Sequence, residues 1–138
     1  MYKNTRTYTD FNGNERTEDF YFNLTEAEIV EMDLTTEGGL EAMINKIMAE
    51  QDRAKLIMMF KDLIRRSYGV KSLDGKRLIK NDEVFDEFSQ TTAYSDFFME
   101  LATDAKIASD FVNGIIPANR RAAAKPAIAD INKTSIPS

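Results

Sequence analysis

The chain has 138 residues, of which 43% are hydrophobic and 30% are charged, a composition typical of one globular domain. It contains no cysteine and no histidine, which excludes disulfides and thiolate metal sites and removes the commonest general base. No apolar run reaches the roughly 20 residues of a membrane-spanning helix, and the N-terminal residues do not resemble a signal peptide. We therefore expect a soluble cytoplasmic protein that uses no metal or cofactor.

The net charge of −5 is divided unevenly along the chain. Residues 118–138 carry four basic side chains and one acidic side chain, or +3, which leaves −8 for residues 1–117. The C-terminal part also lacks aromatic side chains and a sustained apolar period. We predict a folded domain at 1–117 and a flexible basic tail at 118–138. The acidic domain argues against a general nucleic-acid-binding protein.

Residues 6–24 alternate in character as the two arms of a β-hairpin do, with the turn at the Asn-Gly-Asn sequence of residues 12–14. In the second arm, Phe20, Phe22 and Leu24 project to one side, which indicates one buried face. Two strands alone are marginally stable. We therefore expect the hairpin to pack through Phe20 and Phe22 on helices or on strands of another subunit.

Helical patterns follow the hairpin. The capping box from Thr25 to Glu28 predicts a helix that begins at Glu26, and Thr35 or Thr36 is a candidate cap for a second helix. Three shorter helical patterns follow residue 80, and Gly114 is expected to end the last of them. Their candidate caps are Asn81 or Asp82, Thr91 or Thr92, and Thr103 or Asp104.

The central helix is predicted over residues 52–68, because large apolar side chains recur there on one arc at helical spacing. Asp52 is its expected N-cap and Gly69 its expected stop. The predicted fold class is thus α+β and predominantly α-helical, with an N-terminal β-hairpin packed on five or six short helices.

Three methionines lie at or beyond the edge of their helix's apolar face, namely Met58, Met59 and Met99. Methionine is flexible and recurs on surfaces that accept variable apolar partners. Another helix or a second subunit covering these positions would explain them equally well. Either interpretation predicts a protein-binding domain, with Met58, Met59, Met99, Phe20 and Phe22 as candidate partner-binding residues.

A second candidate surface is the basic segment 65–80, which has a local charge of +5. It could contact nucleic acid, although such runs more often form exposed loops near acidic neighbours. Its basic residues are Arg65, Arg66, Lys71, Lys76, Arg77 and Lys80.

No nucleophile motif, P-loop, dinucleotide fingerprint or calcium loop occurs, so we do not expect an enzyme. Several stretches instead resemble the short tail assembly chaperones of siphophages and prophages of Gram-positive bacteria. The resemblance covers nearly all of residues 6–117 and is carried by YTDFNGNERTEDFYFNLTEAEI (8–29), SYGVKSLDGKRLIK (67–80) and FSQTTAYSDFFMELATDAKIASDFVNGIIP (88–117).

The resemblance implies a self-associating protein of the host cytoplasm that coats the tape measure protein during tail assembly, helps tail-tube subunits polymerise around it and then leaves. It also implies that a longer product is often made by ribosomal frameshifting. It implies no catalytic residues. Two alternatives from other classes remain: a structural tail or head–tail connector protein of the virion, and a small nucleic-acid-binding regulator that uses residues 65–80.

Overall fold

The structure is a computed structural model that describes residues 1–117. Within that range the chain forms a small sheet followed and interrupted by helices. The elements are β1 (Tyr2–Thr9), β2 (Glu15–Phe22), α1 (Glu26–Thr35), α2 (Gly39–Ala49), α3 (Arg53–Ser67), β3 (Tyr68–Lys71), β4 (Leu78–Ile79), α4 (Asp82–Ser89), α5 (Thr92–Thr103) and α6 (Ala105–Ile115).

The predicted hairpin is present, and β1 begins at Tyr2, earlier than the alternation suggested. The turn closes when Gly13 N–H donates to Asp10 O at 3.0 Å and Asp10 N–H donates to Asn14 O at 2.8 Å. Gly13 has φ 82°, a conformation that glycine adopts at little cost. The sheet is antiparallel throughout, in the order β1-β2-β3-β4, and the predicted hairpin supplies its first two strands.

The side-chain caps Thr25 and Asp52 were predicted as single residues, and at three further helix starts one of the two candidate residues is the cap, because capping is a local signal. Thr25 and Glu28 form the capping box of α1, with Glu28 N–H donating to Thr25 Oγ1 and Thr25 N–H donating to Glu28 Oε1. The other four caps are Asp52, Asn81, Thr91 and Asp104.

Three predictions about helix ends were wrong in whole or in part. Neither Thr35 nor Thr36 caps α2, which starts after Gly38 at φ 76° without a side-chain cap. Gly69 does follow the C-cap of α3, as predicted, but it makes no left-handed turn, because the chain passes from the helix directly into β3. Gly114 lies inside α6, where a Cβ would come 2.7 Å from Tyr2 Cδ2, so close packing explains this glycine.

The core lies between one face of the sheet and the helices. Phe22 has no exposed surface, and its ring stacks on Phe97 with 5.0 Å between centroids and meets the edge of Phe111 at 5.4 Å. From the central helix, Phe60, Leu63 and Ile64 are buried in the same core. The prediction that the hairpin packs on the helices through Phe22 and half-buried Phe20 is therefore confirmed.

The six helices and the small sheet of the described part confirm the predicted α+β, mainly helical fold class. Within residues 1–117, no helix is long and apolar enough to cross a membrane. The predicted basic tail at 118–138 lies outside the described residues.

Candidate protein-binding groove

An open apolar groove of about 410 Å³ lies between α2, the N-terminal half of α3, the C-terminal end of α5 and α6. Its floor is made by buried core side chains, and its walls by partly exposed ones. Residues that line it are Ile44, Ile47, Met48, Glu50, Leu56, Phe60, Leu101, Ala102, Thr103, Asp104, Ala105, Ala108, Ser109 and Val112. We call this surface the α2–α6 groove.

The local sequence explains why the groove stays open. On α2, Ile44 and Ile47 are buried, whereas Met48 at the end of the same stripe keeps 38% of its surface exposed. On α6, the side that faces the groove carries Ala105 and Ala108, whose short side chains cannot fill the space. The result is an apolar depression that a larger side chain from outside can occupy.

Two carboxylates stand at the rim of the α2–α6 groove. Asp104 caps α6 by accepting from the backbone N–H groups of Lys106 and Ile107 at 3.0 and 3.1 Å. Glu50 accepts from the backbone N–H of Asp52 at 2.9 Å. Both residues are fixed by these contacts and give the rim a negative charge.

A second, smaller groove of about 290 Å³ lies on the other side of α2. It brings together Met58, which is 72% exposed, and half-buried Met59, two of the predicted partner-binding residues. The remaining lining residues are Thr36, Glu37, Met43, Lys46 and Asp62.

The other candidate partner-binding residues are placed differently. Met99 is 50% exposed on α5 and lines neither groove. Phe22 is fully buried, and half-buried Phe20 packs on Phe88 with 5.0 Å between ring centroids. The fold therefore gives Phe22 no surface that a partner of the folded chain could reach.

The six basic residues of segment 65–80 do not form one uniform patch. Arg65 pairs with Asp82 at 2.6 Å and Arg66 pairs with Asp62 at 3.0 Å. The Lys71 ammonium lies 4.8 Å from the centroid of the Tyr21 ring. Lys76 and Arg77 are exposed on the turn between β3 and β4.

Lys80 is the most internal of these basic residues. Its Nζ donates to Glu28 Oε2 at 2.8 Å and to the carbonyl oxygens of Asn23 and Arg66 at 2.5 and 3.1 Å. Burial raises the pKa of Glu28, but the hydrogen bonds from Lys80 and the Thr25 backbone outweigh it, so the pKa of this carboxyl is lowered. Lys80 thus joins β2, α1 and α3.

Sequence reasoning missed the α2–α6 groove, because its walls come from four helices whose relative placement no local pattern gives. Two signals bear on it in retrospect: Met48 closes an apolar stripe with a flexible side chain, and α6 opens with alanines where a core helix usually has larger residues. In the described part of the chain, no three acidic side chains are grouped so that they could hold a metal ion.

A family model described as phage tail assembly chaperone matches residues 1–136. The chain belongs to this family. The match confirms the resemblance found in the sequence and extends past Pro117 into the segment predicted as a tail. No curated protein and no solved structure matches the chaperone significantly.

Proposed function

We propose that this tail assembly chaperone binds the tape measure protein by holding an apolar helical segment of it in the α2–α6 groove. The observation that carries the proposal is an open, apolar, acid-rimmed groove in a chain of this family. A groove between helices is a common receptor for an amphipathic helix, which inserts side chains at i, i+3 or i+4, and i+7.

The size of the groove supports this assignment. At about 410 Å³ it falls within the roughly 300–1,000 Å³ of ordinary ligand pockets and accepts a few side chains rather than a folded domain. Each large apolar side chain buried there contributes about 1.5–3 kcal/mol, much of which ordering and association costs cancel. One copy therefore binds weakly, and many copies on a long client bind tightly through avidity.

The negative charge of the groove's rim indicates which client segments bind best. Glu50 and Asp104 flank the opening, so a segment with basic residues beside its apolar anchors is favoured over an acidic one. Exposed charges are screened within about 10 Å at 0.1 M salt. Binding should accordingly weaken moderately as the salt concentration rises, while the apolar part of the interaction persists.

A trio of matched substitutions tests which surface binds the client. The substitutions Met48→Asp, Met58→Asp and Met99→Asp each replace a different exposed methionine with a carboxylate. The readout is the amount of tape measure protein of the same phage that stays soluble on co-expression, with thermal melting of each variant as the folding control. We expect Met48→Asp to weaken binding at least tenfold, about 1.4 kcal/mol. A loss confined to Met58→Asp or Met99→Asp would reject the α2–α6 groove.

The proposal includes a non-catalytic role, self-association and release before the virion is complete. A protein that coats a client in the host cytoplasm and then leaves should be nearly absent from purified particles. Mass spectrometry that found it as abundant as the tail-tube subunit would instead favour a structural role. A longer frameshift product that recruits the tail-tube protein belongs to the same proposal, and ribosome profiling across the end of the reading frame tests it.

A further inference from the structure

Within residues 1–117, most of the outer edge of β1 is free of hydrogen-bonding partners. In an antiparallel pair, opposite residues alternate between those that exchange hydrogen bonds and those that direct their N–H and C=O groups outward. Asp10 N–H donates to Asn14 O, which fixes the alternation: even-numbered residues of β1 bond to β2 and odd-numbered ones face away. The carbonyl of Thr9 confirms this direction, since it accepts from Thr92 Oγ1 at 2.7 Å on the side away from β2.

Three residues of β1 consequently present outward backbone groups, namely Lys3, Thr5 and Thr7. Among the described residues no backbone or side-chain group hydrogen-bonds to these outward groups. The side chains of all three are exposed on the sheet face opposite the helices. Natural proteins usually protect such edges with proline, a bulge, lysine or inward charges. β1 has no proline and no bulge in its pairing with β2, and its charged side chains are Lys3 and Arg6, which is turned inward to Glu100, so the edge is only partly protected.

We propose that β1 of one copy pairs antiparallel with β1 of a second copy. The two copies are related by a two-fold axis that lies between their Thr5 residues. The inference deepens the self-association in the proposed function by naming the interface. The two four-stranded sheets would join into one continuous sheet with both helical layers on the same side. An isologous contact of this kind closes at two copies.

The register follows from the sequence of the strand. With Thr5 opposite itself, residues 2–8 all pair, and no two like charges stand opposite each other. Moving the axis to Arg6 would place two arginines opposite each other and would use Thr9, whose carbonyl is already bonded. Moving it to Asn4 would leave residues 7–9 without a partner in the strand. The pairs formed across the axis are Thr5–Thr5, Lys3–Thr7, Asn4–Arg6 and Tyr2–Tyr8.

A competing arrangement pairs β1 with the outer edge of β2, which is also partly open. The odd-numbered residues of β2 face away from β1, and β3 covers only Tyr21 and Phe22. The exposed remainder, residues 15–19, is shorter than the free edge of β1 and lies beside the β3–β4 hairpin. Within residues 1–117 the free edge of β1 is the longer of the two, which favours the two-fold contact over a head-to-tail one.

The absence of cysteine from the chain allows a direct test by cross-linking. In the proposed register the two Thr5 Cα atoms are about 5.5 Å apart, within the roughly 4.4–6.8 Å that a disulfide spans. The two Thr7 Cα atoms are four residues apart along the strands, or about 13 Å. Thr5→Cys should oxidise mainly to a covalent dimer, and Thr7→Cys should give less than a tenth as much.

The two cysteine variants are matched, because each removes one exposed side-chain hydrogen bond to β2: Thr5 to Asp19 at 2.6 Å and Thr7 to Thr17 at 2.9 Å. Equal cross-linking of both variants would overturn the register. A wild-type chain that remains monomeric by light scattering at about 100 µM would overturn the interface itself.

Proline substitutions give an independent measurement on the full chain. Thr5→Pro removes an outward N–H that makes no bond within the described chain, so the fold should persist while the molar mass halves. Thr17→Pro removes an outward N–H from the outer edge of β2 and should leave the dimer intact. Loss of the dimer in Thr17→Pro alone would show the head-to-tail arrangement instead. None of these readouts involves the client, so their failure is distinguishable from failure of the α2–α6 groove.

Discussion

Replacement of Lys80 with Met tests whether this residue stabilises the fold from inside or forms part of a basic binding surface. The methionine keeps most of the aliphatic length and removes the charge and the donors. Without the Lys80 ammonium, the Glu28 carboxylate and the carbonyl oxygens of Asn23 and Arg66 lose the donor that they share. We therefore expect destabilisation of the fold rather than the loss of a surface property.

The burial of the Lys80–Glu28 ion pair determines how much stability the substitution removes. An exposed ion pair contributes about 0–1 kcal/mol, whereas removing one partner of a buried pair costs about 3–5 kcal/mol. The side chains of Lys80 and Glu28 are 19% and 34% exposed, between these limits. We expect Lys80→Met to lower the free energy of unfolding by about 2 kcal/mol, or the melting temperature by about 6–10 °C.

The pH dependence adds a second readout. The folded pKa of Glu28 is below its ordinary value of 4.5, so its interaction with Lys80 stabilises the fold above that pH. The contribution is lost as the pH falls through the folded pKa. The difference between the wild-type chain and Lys80→Met should thus be full at pH 7 and shrink below about pH 4.5.

Urea denaturation followed by circular dichroism measures this difference. Lys76→Met is the matched control, since Lys76 is exposed on the β3–β4 turn, and its substitution should change stability by less than about 0.5 kcal/mol. Equal effects of the two substitutions, or a difference that stays constant from pH 7 to pH 3, would refute the stabilising role of the Lys80–Glu28 contact.

Three further predictions concern packing and domain limits. Phe60→Ala should cost about 3–5 kcal/mol, because the ring is 3% exposed, whereas an unchanged melting temperature would show that the central helix is misplaced. Gly114→Ala should destabilise by about 1–3 kcal/mol although alanine favours helices, because its Cβ would clash with Tyr2; higher stability in urea would contradict this. Truncation after Pro117 should leave the melting temperature within a few degrees, and unfolding of the truncated chain would show that residues 118–138 are needed.

Local signals in the sequence were sufficient to predict the starts of five helices and the first hairpin. Thr25 and Glu28 are three residues apart, and Asp52 accepts from the N–H groups two and three residues further on, so both contacts are contained in the sequence itself. The turn at Gly13 is similarly local. These features were predicted correctly because no distant part of the chain has to be known.

Apart from the cap of α2, the errors concern residues whose role depends on a distant neighbour. Gly69 and Gly114 resemble helix stops in the sequence, yet the structure places them against Leu78 and Tyr2, where a Cβ would not fit. Lys80 contributes to a basic run, yet its carboxylate partner lies 52 residues away. Tertiary contacts alone distinguish a glycine that ends a helix from one that makes room, and a lysine that is free from one that is paired.

The two proposed surfaces use different elements, and this separation matters for a coat on a long client. The α2–α6 groove is lined by helical and helix-capping residues, whereas the self-pairing edge is the outer side of β1. One copy could accordingly hold the client and a second copy at the same time. Two linked grooves raise the effective concentration of the second site to roughly millimolar when both reach the same client. Weak grooves joined in pairs would thus bind a long helical protein firmly while each contact stays easy to release.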